Sequence, residues 1–431
     1  MTALTNDELW IFAVCAVCAA ACALPGVFLM LRRESLIGDA ISHSVLPGIV
    51  AAFFISGSRD ILTMMTGAFA AGLLSVGISS IIQRTRRTNP DAAIGMTYTA
   101  FFAVGVLLLS LGARNVDIDP SCVLYGLVEF APLDMVPLGS FTGSLMVPRS
   151  FILLSLVLVA NALAVRLFWK ELLVSTFDPP LARSLGFNTT AIHYGLMAAT
   201  TVTIVASFES VGSILVITML IAPAATGHLI AGRLPRVLAA ALISATLAAL
   251  GGIVGATALD TPVAGMMSVA AGALFFGALF FAPQNGIIAR MTQRAYLRIQ
   301  IAQEDILGLL YRAHESHSGT APAHPISKQL TLRAVANGCT AHTALTLARF
   351  RGYVICGKEG MQLTQRGFVE AKALVRSHRL WESYLAKHLG LPADHVHAPS
   401  ERAEHFIGQA LTRELERELL LSKDPHGKKI P

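Results

Sequence analysis

Nine apolar stretches within the first 283 residues constrain this chain more than any other feature. A helix crosses the hydrocarbon core of a bilayer with about 20 apolar residues. The stretches lie at 9–31, 40–57, 61–82, 94–112, 151–169, 190–208, 211–231, 237–257 and 263–282. Because backbone polar groups in lipid must form hydrogen bonds within the segment, these nine stretches predict an all-α polytopic membrane domain over 1–283. An eight-span alternative has the seventh stretch and a neighbour re-entrant, since Gly212 and Pro223 can break helix geometry.

Loop charge predicts the orientation, because basic residues in short loops mark the cytoplasmic side. With the N-terminus outside, inner loops receive ten basic residues and outer loops three. The inner ones are Arg32, Arg33, Arg84, Arg86, Arg87, Arg166, Lys170, Arg183, Arg233 and Arg236. This topology places the chain after residue 284 in the cytoplasm.

Asp39 and His43 stand four residues apart, so on a helix they share one face. A carboxylate and an imidazole are competent ligands for a divalent transition metal, and polar residues at membrane depth usually mark a pathway. Two ligands are too few, and a second copy across a two-fold axis would give four. The alternative is structural: Asp39 caps the helix and His43 bonds a neighbouring carbonyl.

The stretch LRRESLIGDAISHSVLPG (31–48) resembles the signature of the ABC-3 family of permeases for manganese, zinc and iron. The likeness continues through 171–187, 209–230 and 233–242. It implies a multi-pass permease of the bacterial inner membrane, paired with a second copy or a paralogue. It also implies a cytoplasmic ATPase, an extracellular or periplasmic metal-binding protein, and metal contacts by Asp39 and His43.

ATP-driven transport would need a partner ATPase, because the chain contains no G-x-x-x-x-G-K-[ST] phosphate loop. The chain itself is therefore predicted to be no enzyme. The inner loop 170–190 is amphipathic, and such a loop helix is commonly only a surface element. The family likeness favours docking onto the ATPase, with Asp178, Arg183 and Gly186 as coupling residues.

The last third differs in composition and predicts a soluble domain. Residues 1–283 hold 13 Lys and Arg against 14 Asp and Glu, whereas 284–431 hold 20 against 13 and ten of the 13 histidines. We expect a linker at 284–302, a winged helix-turn-helix at 303–366, and metal-binding and dimerisation helices at 367–431.

The order of helix, turn, helix and hairpin is that of a winged helix. Helices are predicted at 326–336 and 340–351, followed by a short strand at 352–354, a turn at 357–360 and the second half of the hairpin at 363–364. The candidate DNA-binding residues are Thr340, His342, Thr343, Arg349, Arg351 and Lys358. Phosphate contacts supply most of the affinity for DNA, and this helix is poorly basic. The domain either binds DNA or serves as a cytoplasmic metal gauge.

Helices predicted at 365–388 and 400–420 carry several potential metal ligands. His378 and Glu382 are four apart, and so are His397 and Glu401. Glu401 shares a predicted face with Glu404 and His405. The alternative is surface charge with helix pairing.

These segments resemble the diphtheria-toxin-repressor and manganese-repressor family, through EDILGLLY, LTQRGFVEAKALVRSHRLWESYLAKHLGLPADHVH, SERAEHFIGQAL and DPHGKKIP. The resemblance implies a primary metal cluster and an ancillary one. The primary ligands are Asp305, Glu401, Glu404 and His405, joined by His378 in the manganese type. The ancillary ligands, in the iron type, are His378, Glu382 and His397.

Gly308 stands where manganese-type members have a glutamate ligand. Oxygen and imidazole ligation favours Mn²⁺ or Fe²⁺, with Zn²⁺ as a further candidate.

Three hypotheses follow. The first is an ABC permease that imports a divalent metal and carries a fused metal-responsive domain. The second is a membrane-tethered, metal-dependent transcriptional regulator without transport. The third is a secondary transporter that needs no ATPase. The expected partners are an ATPase, a delivery protein, a second permease and membrane lipid, with DNA as a further partner.

Overall fold

The computed structural model describes residues 6–57, 61–85, 87–112, 126, 128–138, 145–316, 327, 338–357, 360–419 and 422–431. The chain forms two compact units, Met1–Ala289 and Arg290–Pro431. Apart from residue 327, the predicted helix at 326–336 lies outside the described residues, and so does the candidate DNA contact Lys358.

The first unit is built almost entirely of helices. They are α1 (Asn6–Leu31), α2 (Leu36–Ser56), α3 (Ile61–Arg84), α4 (Pro90–Gly112), α5 (Arg149–Leu167), α6 (Trp169–Phe177), α7 (Pro179–Ser184), α8 (Thr189–Ile230), α9 (Leu234–Leu259) and α10 (Val263–Phe281). A 3₁₀ helix, Val128–Leu133, and the antiparallel strands β1 (Met135–Leu138) and β2 (Leu145–Pro148) connect α4 to α5. Within the described ranges, nine helical segments are long and apolar enough to span a membrane, which confirms the predicted all-α polytopic domain.

The sixth and seventh spans form one interrupted element, α8. Cys22 Sγ lies 3.9 Å from Ser207 Oγ, and a Cβ on Gly26 would lie 2.0 Å from the carbonyl oxygen of Leu220. Cys22 and Gly26 are about one turn apart, whereas a straight helix would separate Ser207 from Leu220 by about 20 Å. The chain therefore turns back at Gly212, whose φ of 74° and ψ of 166° suit glycine.

Small residues let the membrane helices approach closely. An added Cβ on Gly48 of α2 would lie 2.2 Å from the carbonyl oxygen of Gly67 on α3. Buried polar side chains link other helices: Asn161 of α5 donates to the Ala21 carbonyl of α1 at 3.1 Å and to Thr203 Oγ1 of α8 at 2.8 Å. In lipid, close backbone packing and interhelical hydrogen bonds replace the hydrophobic effect as the cause of helix association.

The second unit contains α11 (Ile287–Ser316), α12 (Gly338–Phe350), β3 (Val354–Cys356), β4 (Met361–Leu363), α13 (Gln365–Leu389), α14 (Ala393–Ala403) and α15 (Gln409–Leu419). Strands β3 and β4 pair antiparallel, so helix α12 is followed by the expected hairpin. Ile306, Leu345, Val354 and Met361 belong to one buried core beneath them.

Within the predicted linker at 284–302, residues 287–302 are helical, because neither glycine nor proline interrupts the chain between Gly286 and Gly308. The helix predicted at 400–420 is divided: α14 ends at Ala403, Glu404–Phe406 form a 3₁₀ turn, and α15 begins at Gln409. Ile407 has extended backbone angles there, which no α-helix allows.

Candidate metal centres

Asp39 and His43 lie on one face of α2, as their spacing predicts. His43 Nε2 is 3.4 Å from Asp39 Oδ1, and their side chains are 41% and 32% exposed. The His43 ring stacks on Tyr98, with centroids 5.6 Å apart, and meets the edge of Phe102 at 5.8 Å. Two rings from α4 therefore fix the imidazole beside the carboxylate. The pair offers two ligands on a partly open face, and the larger ligand clusters of the described residues lie elsewhere.

The corner before α2 is tied to two other helices. Arg32 donates to Ser175 Oγ at 2.8 Å and to Thr176 Oγ1 at 3.2 Å, both on α6. Glu34 Oε1 lies 3.5 Å from His193 Nδ1, at the start of α8. These contacts border a cleft of about 420 Å³. The chain just before Asp39 is thus held by α6 and α8.

The three predicted coupling residues shape the loop that follows α6. Asp178 caps α7 by accepting a hydrogen bond from the Leu181 amide at 3.0 Å. Arg183 Nε donates to Thr189 Oγ1 at 3.3 Å. Gly186 has a φ of +85°, and an added Cβ would meet no atom within 4 Å. Leu181 is exposed, so α7 presents an apolar side chain on a tightly defined loop.

The described DNA-binding candidates differ in their exposure and in their contacts. His342, Thr343 and Arg349 are exposed on α12, and Thr340 is half-buried. Thr343 Oγ1 donates to the carbonyl of Thr340 at 2.9 Å. Arg351 instead donates to Gln303 Oε1 at 3.3 Å and to the Tyr296 hydroxyl at 3.4 Å, both on α11. Of the two arginines, Arg349 is thus the more exposed, whereas α11 holds Arg351.

The primary cluster joins Asp305, Glu404 and His405, whose ligand atoms all lie within 4.8 Å of one another. His405 Nε2 is 3.2 Å from Asp305 Oδ1 and 3.9 Å from Glu404 Oε1. Glu304 Oε2 accepts from His405 Nδ1 at 2.7 Å, on the other side of the ring. Burial opposes the charged ring, but the hydrogen bonds to Asp305 and Glu304 outweigh it and raise the pKa of His405 to about 10.

The ancillary cluster joins His378, Glu382 and His397. Glu382 Oε1 lies 3.0 Å from His378 Nε2 and 2.8 Å from His397 Nδ1. Burial opposes ionisation of this carboxyl, but hydrogen bonds from the two rings prevail and lower the pKa of Glu382 to about 2. His378 and Glu382 are buried on α13, whereas His397 on α14 is half-exposed.

Both donor sets fit a divalent metal. His378 Nδ1 and Glu404 Oε2 are buried polar atoms that lie 2.5 Å apart and have no further hydrogen-bond partner within the described ranges. Carboxylate and imidazole groups that converge on one point are the ligands of first-row transition ions. A cleft of about 520 Å³, lined in part by Glu304, Glu404 and His405, gives access to the primary cluster.

The predicted ligands are not all brought together. Glu401 is exposed and belongs to neither cluster of the described residues, because α14 ends before Glu404 and breaks their common face. The motifs did not predict two further residues at the primary cluster: Glu304, which orients His405, and Arg312, whose Nη2 is 3.5 Å from Glu404 Oε2. Glu304 directly precedes Asp305, so its place in EDILGLLY was a usable signal.

Comparisons with known proteins divide the chain in the same way. The ABC 3 transport family matches residues 8–282. The family described as iron dependent repressor, metal binding and dimerisation domain, matches residues 364–431. Each match covers motifs that carried a resemblance in the sequence.

Individual relatives are similar over the membrane unit. The zinc transport system membrane protein TroD of Treponema pallidum is 42% identical over 288 residues, which are 67% of this chain and 77% of that protein. The manganese transport system membrane protein MntD of Bacillus subtilis is 39% identical over 284 residues, 66% of this chain and 95% of that one. The solved structure of PsaBC from Streptococcus pneumoniae in complex with Fab has a TM-score of 0.54 at 28% identity, and the match covers 65% of this chain and 94% of that chain.

Proposed function

This chain belongs to the ABC 3 transport family, and from that premise we propose that it is the permease subunit of an importer for a divalent transition metal. The observation that carries the proposal is the Asp39–His43 pair on an apolar helix. Manganese is the favoured cargo, because the donors are oxygen and imidazole. Iron and zinc are the alternatives, and the names of the relatives include both zinc and manganese systems.

In this proposal α2 carries the cargo site. The Asp39 carboxylate supplies negative charge at membrane depth, and the His43 imidazole supplies a second ligand held by Tyr98 and Phe102. A second copy of the permease, or a paralogue, would supply the missing ligands across a two-fold axis. An extracellular or periplasmic protein would deliver the ion. The setting is the bacterial inner membrane, with the second unit in the cytoplasm.

The energy would come from a partner ATPase, since the sequence contains no phosphate loop. Helix α7 is the proposed docking element, and Asp178, Arg183 and Gly186 give its loop a fixed shape. Movement of this loop reaches the cargo site through α6, because Arg32 ties α6 to the corner from which α2 begins.

The second unit is proposed to respond to cytoplasmic metal. Asp305, Glu404 and His405 would hold one ion, and His378, Glu382 and His397 another. These ligands come from α11, α13, α14 and the 3₁₀ turn, so bound metal would stabilise their packing by mass action. A membrane-tethered transcriptional regulator remains the second candidate, favoured by the hairpin that follows α12.

Reconstitution distinguishes the ABC permease from the secondary transporter and from the tethered regulator. The full chain, placed in proteoliposomes with its ATPase, should take up ⁵⁴Mn²⁺ only when ATP is supplied. Asp39→Ala or His43→Ala should abolish uptake while leaving insertion and assembly intact. Asp91→Ala, an exposed carboxylate at the start of α4, is the matched control. Uptake without ATP would favour a secondary transporter, and a wild-type chain that never transports would favour the tethered regulator.

A further inference from the structure

The first half of α11 is exposed around its whole circumference. Every residue from Arg290 to Arg298 is exposed, including the large apolar side chains of Met291, at 65%, and Leu297, at 42%. The helix joins the hydrophobic core of the second unit from Ile299 onward. Large apolar side chains that stay exposed side by side mark a surface that contacts another molecule.

Three arginines run along this exposed stretch in one line. Arg290, Arg294 and Arg298 are each four residues apart, so neighbours in the line differ by about 40° around the helix. Leu297 lies about 20° before the first arginine, and Met291 lies about 20° beyond the last. These five side chains form one continuous face, about 120° wide, which we call the arginine face.

The arginine face points away from the second unit. Two residues of α11 mark the side that contacts this unit. The Tyr296 hydroxyl accepts a hydrogen bond from Arg351 at 3.4 Å, and Ile299 packs against the core. On the helix both residues lie more than about 130° from the centre of the arginine face.

No acidic partner neutralises the arginine face. The sequence has no Asp or Glu between Asp260 and Glu304, and the three arginines are the only Lys or Arg residues in that stretch. Among the described residues, the ion pairs of arginine side chains involve other arginines. Three positive charges are therefore available to a ligand outside the chain.

The connection to the last membrane span indicates which ligand is close. Helix α10 ends at Phe281 and α11 begins at Ile287, so at most about 20 Å of chain separates them. The cytoplasmic leaflet carries anionic lipids, which attract basic segments next to a span. The guanidinium fork matches the geometry of a phosphate group, and apolar side chains beside it can enter the headgroup region.

We propose that Arg290, Arg294 and Arg298 bind the phosphate groups of anionic phospholipids, so that the first half of α11 lies along the bilayer surface. The proposal rests on the cytoplasmic placement of the second unit in the proposed function. Helix α11 continues without a break to Asp305, about 10 Å beyond the last arginine. The lipid-bound helix therefore keeps the primary cluster close to the membrane.

Hydrogen–deuterium exchange of the full chain in nanodiscs tests this proposal. Exchange of the amides in 287–298 is followed by mass spectrometry in nanodiscs of phosphatidylcholine, with and without phosphatidylglycerol. Each arginine near an anionic surface contributes about fivefold to binding. Phosphatidylglycerol should thus slow exchange in this segment by up to about a hundredfold, and high salt should reverse the effect because it screens the charges.

A triple variant removes the charge of the arginine face. It combines Arg290→Gln, Arg294→Gln and Arg298→Gln, and glutamine retains a high helix propensity. The slowing of exchange by phosphatidylglycerol should disappear in this variant. A triple variant that keeps the full slowing would overturn the proposal, and so would a wild type whose exchange is the same in both lipids.

The matched control removes the same charge elsewhere in the second unit. It combines Arg366→Gln, Arg413→Gln and Arg417→Gln, at exposed positions on α13 and α15. This variant should respond to phosphatidylglycerol like the wild type. If both triple variants lose the response equally, net charge rather than the arginine face attracts the lipid, and the proposal fails.

Other occupants of the face give different results. Protection in lipid-free detergent that grows with protein concentration would assign the face to a second copy of the chain. Protection that requires the ATPase would assign it to that partner, and either result overturns the lipid proposal. Nanodiscs present lipid on both sides and the assay measures no transport, so its outcome is independent of whether the chain imports metal.

Discussion

His378 Nδ1 lies 2.5 Å from Glu404 Oε2, so one ring joins the two candidate metal centres. Its other nitrogen, Nε2, lies 3.0 Å from Glu382 in the ancillary cluster. Both partners of the 2.5 Å contact are buried. Burial opposes the charged ring, but the Glu382 and Glu404 carboxylates prevail and raise the pKa of His378. The protonation and metal state of either cluster is therefore felt at the other.

The first prediction concerns this shared histidine. His378→Ala should lower metal affinity at both clusters, because it removes a group that contacts each of them. Asp305→Ala should weaken chiefly the primary cluster, and Glu382→Ala chiefly the ancillary cluster, with a smaller effect on the other cluster in each case. Calorimetric titration of the full chain with Mn²⁺ and with Zn²⁺ measures both. A double-mutant cycle between Glu382 and Glu404 should show a coupling of about 0.5 kcal/mol or more, and strict additivity would contradict the link.

A second prediction concerns pH. The folded pKa of His405 is raised to about 10, above the usual value of about 6.5 in unfolded chains. Its charged form therefore stabilises the metal-free fold fully below about pH 6.5, and this contribution is lost as pH rises through about 10. Metal must displace the proton, so apparent affinity should rise with pH between 6.5 and 8.5.

Proton release measures this displacement. Calorimetry at pH 7.5 in buffers of different ionisation enthalpy should show about one proton released at the primary site. His405→Gln should release none there, with much weaker binding. His388→Gln serves as the control, because this histidine lies outside both clusters. Wild-type binding that releases no proton would show that His405 is neutral before metal arrives.

Local spacing predicted the parts of these sites that lie within one helix. Asp39 with His43, and His378 with Glu382, are pairs four apart, and helix geometry alone brings each pair together. The sequence likewise predicts a possible helix break at Gly212, because only glycine readily takes a positive φ.

Contacts between distant segments could not be predicted in this way. Glu304 and His405 are 101 residues apart in sequence, and no periodicity relates them. Glu401 shows the opposite case: periodicity predicts one helix that carries Glu401, Glu404 and His405, but the chain forms a 3₁₀ turn at 404–406 and an extended residue at 407. Tertiary packing, rather than local preference, determines both outcomes.

A third prediction concerns duplex DNA, if the second unit binds it. Arg349 is exposed on α12, whereas Arg351 is held by Gln303 and Tyr296. Arg349→Ala should therefore weaken binding and reduce the salt slope by about one, the effect of losing one phosphate contact. Arg351→Ala should change the slope little. Fluorescence anisotropy of labelled DNA at several salt concentrations measures both, and a larger effect of Arg351→Ala would contradict the assignment.

A fourth prediction concerns the loop between α7 and α8. Gly186 has a φ of +85°, which proline cannot adopt because its ring fixes φ near −65°. Gly186→Pro should thus distort the proposed docking loop and separate ATP hydrolysis from uptake, without changing affinity for metal. Gly195→Ala, a helical position with open space around the added Cβ, is the control. ATP hydrolysis and uptake that remain in step in Gly186→Pro would remove α7 from the coupling route.

The last prediction concerns the corner between α1 and α2. Arg32 donates two hydrogen bonds to α6, at 2.8 and 3.2 Å, only a few residues before Asp39. Arg32→Ala should remove these hydrogen bonds, so that the ATPase still docks and hydrolyses ATP but metal uptake falls.

The neighbouring Arg33 provides the control. It is exposed and has a φ of 61°, a conformation that costs a non-glycine residue about 1–2 kcal/mol. Arg33→Gly removes the same charge and relieves that strain, so it should leave uptake unchanged or higher. Parallel assays of ATP hydrolysis and ⁵⁴Mn²⁺ uptake distinguish the two variants. Equal losses of uptake would mean that the charge of the inner loop matters, and that the hydrogen bonds to Ser175 and Thr176 do not carry the coupling.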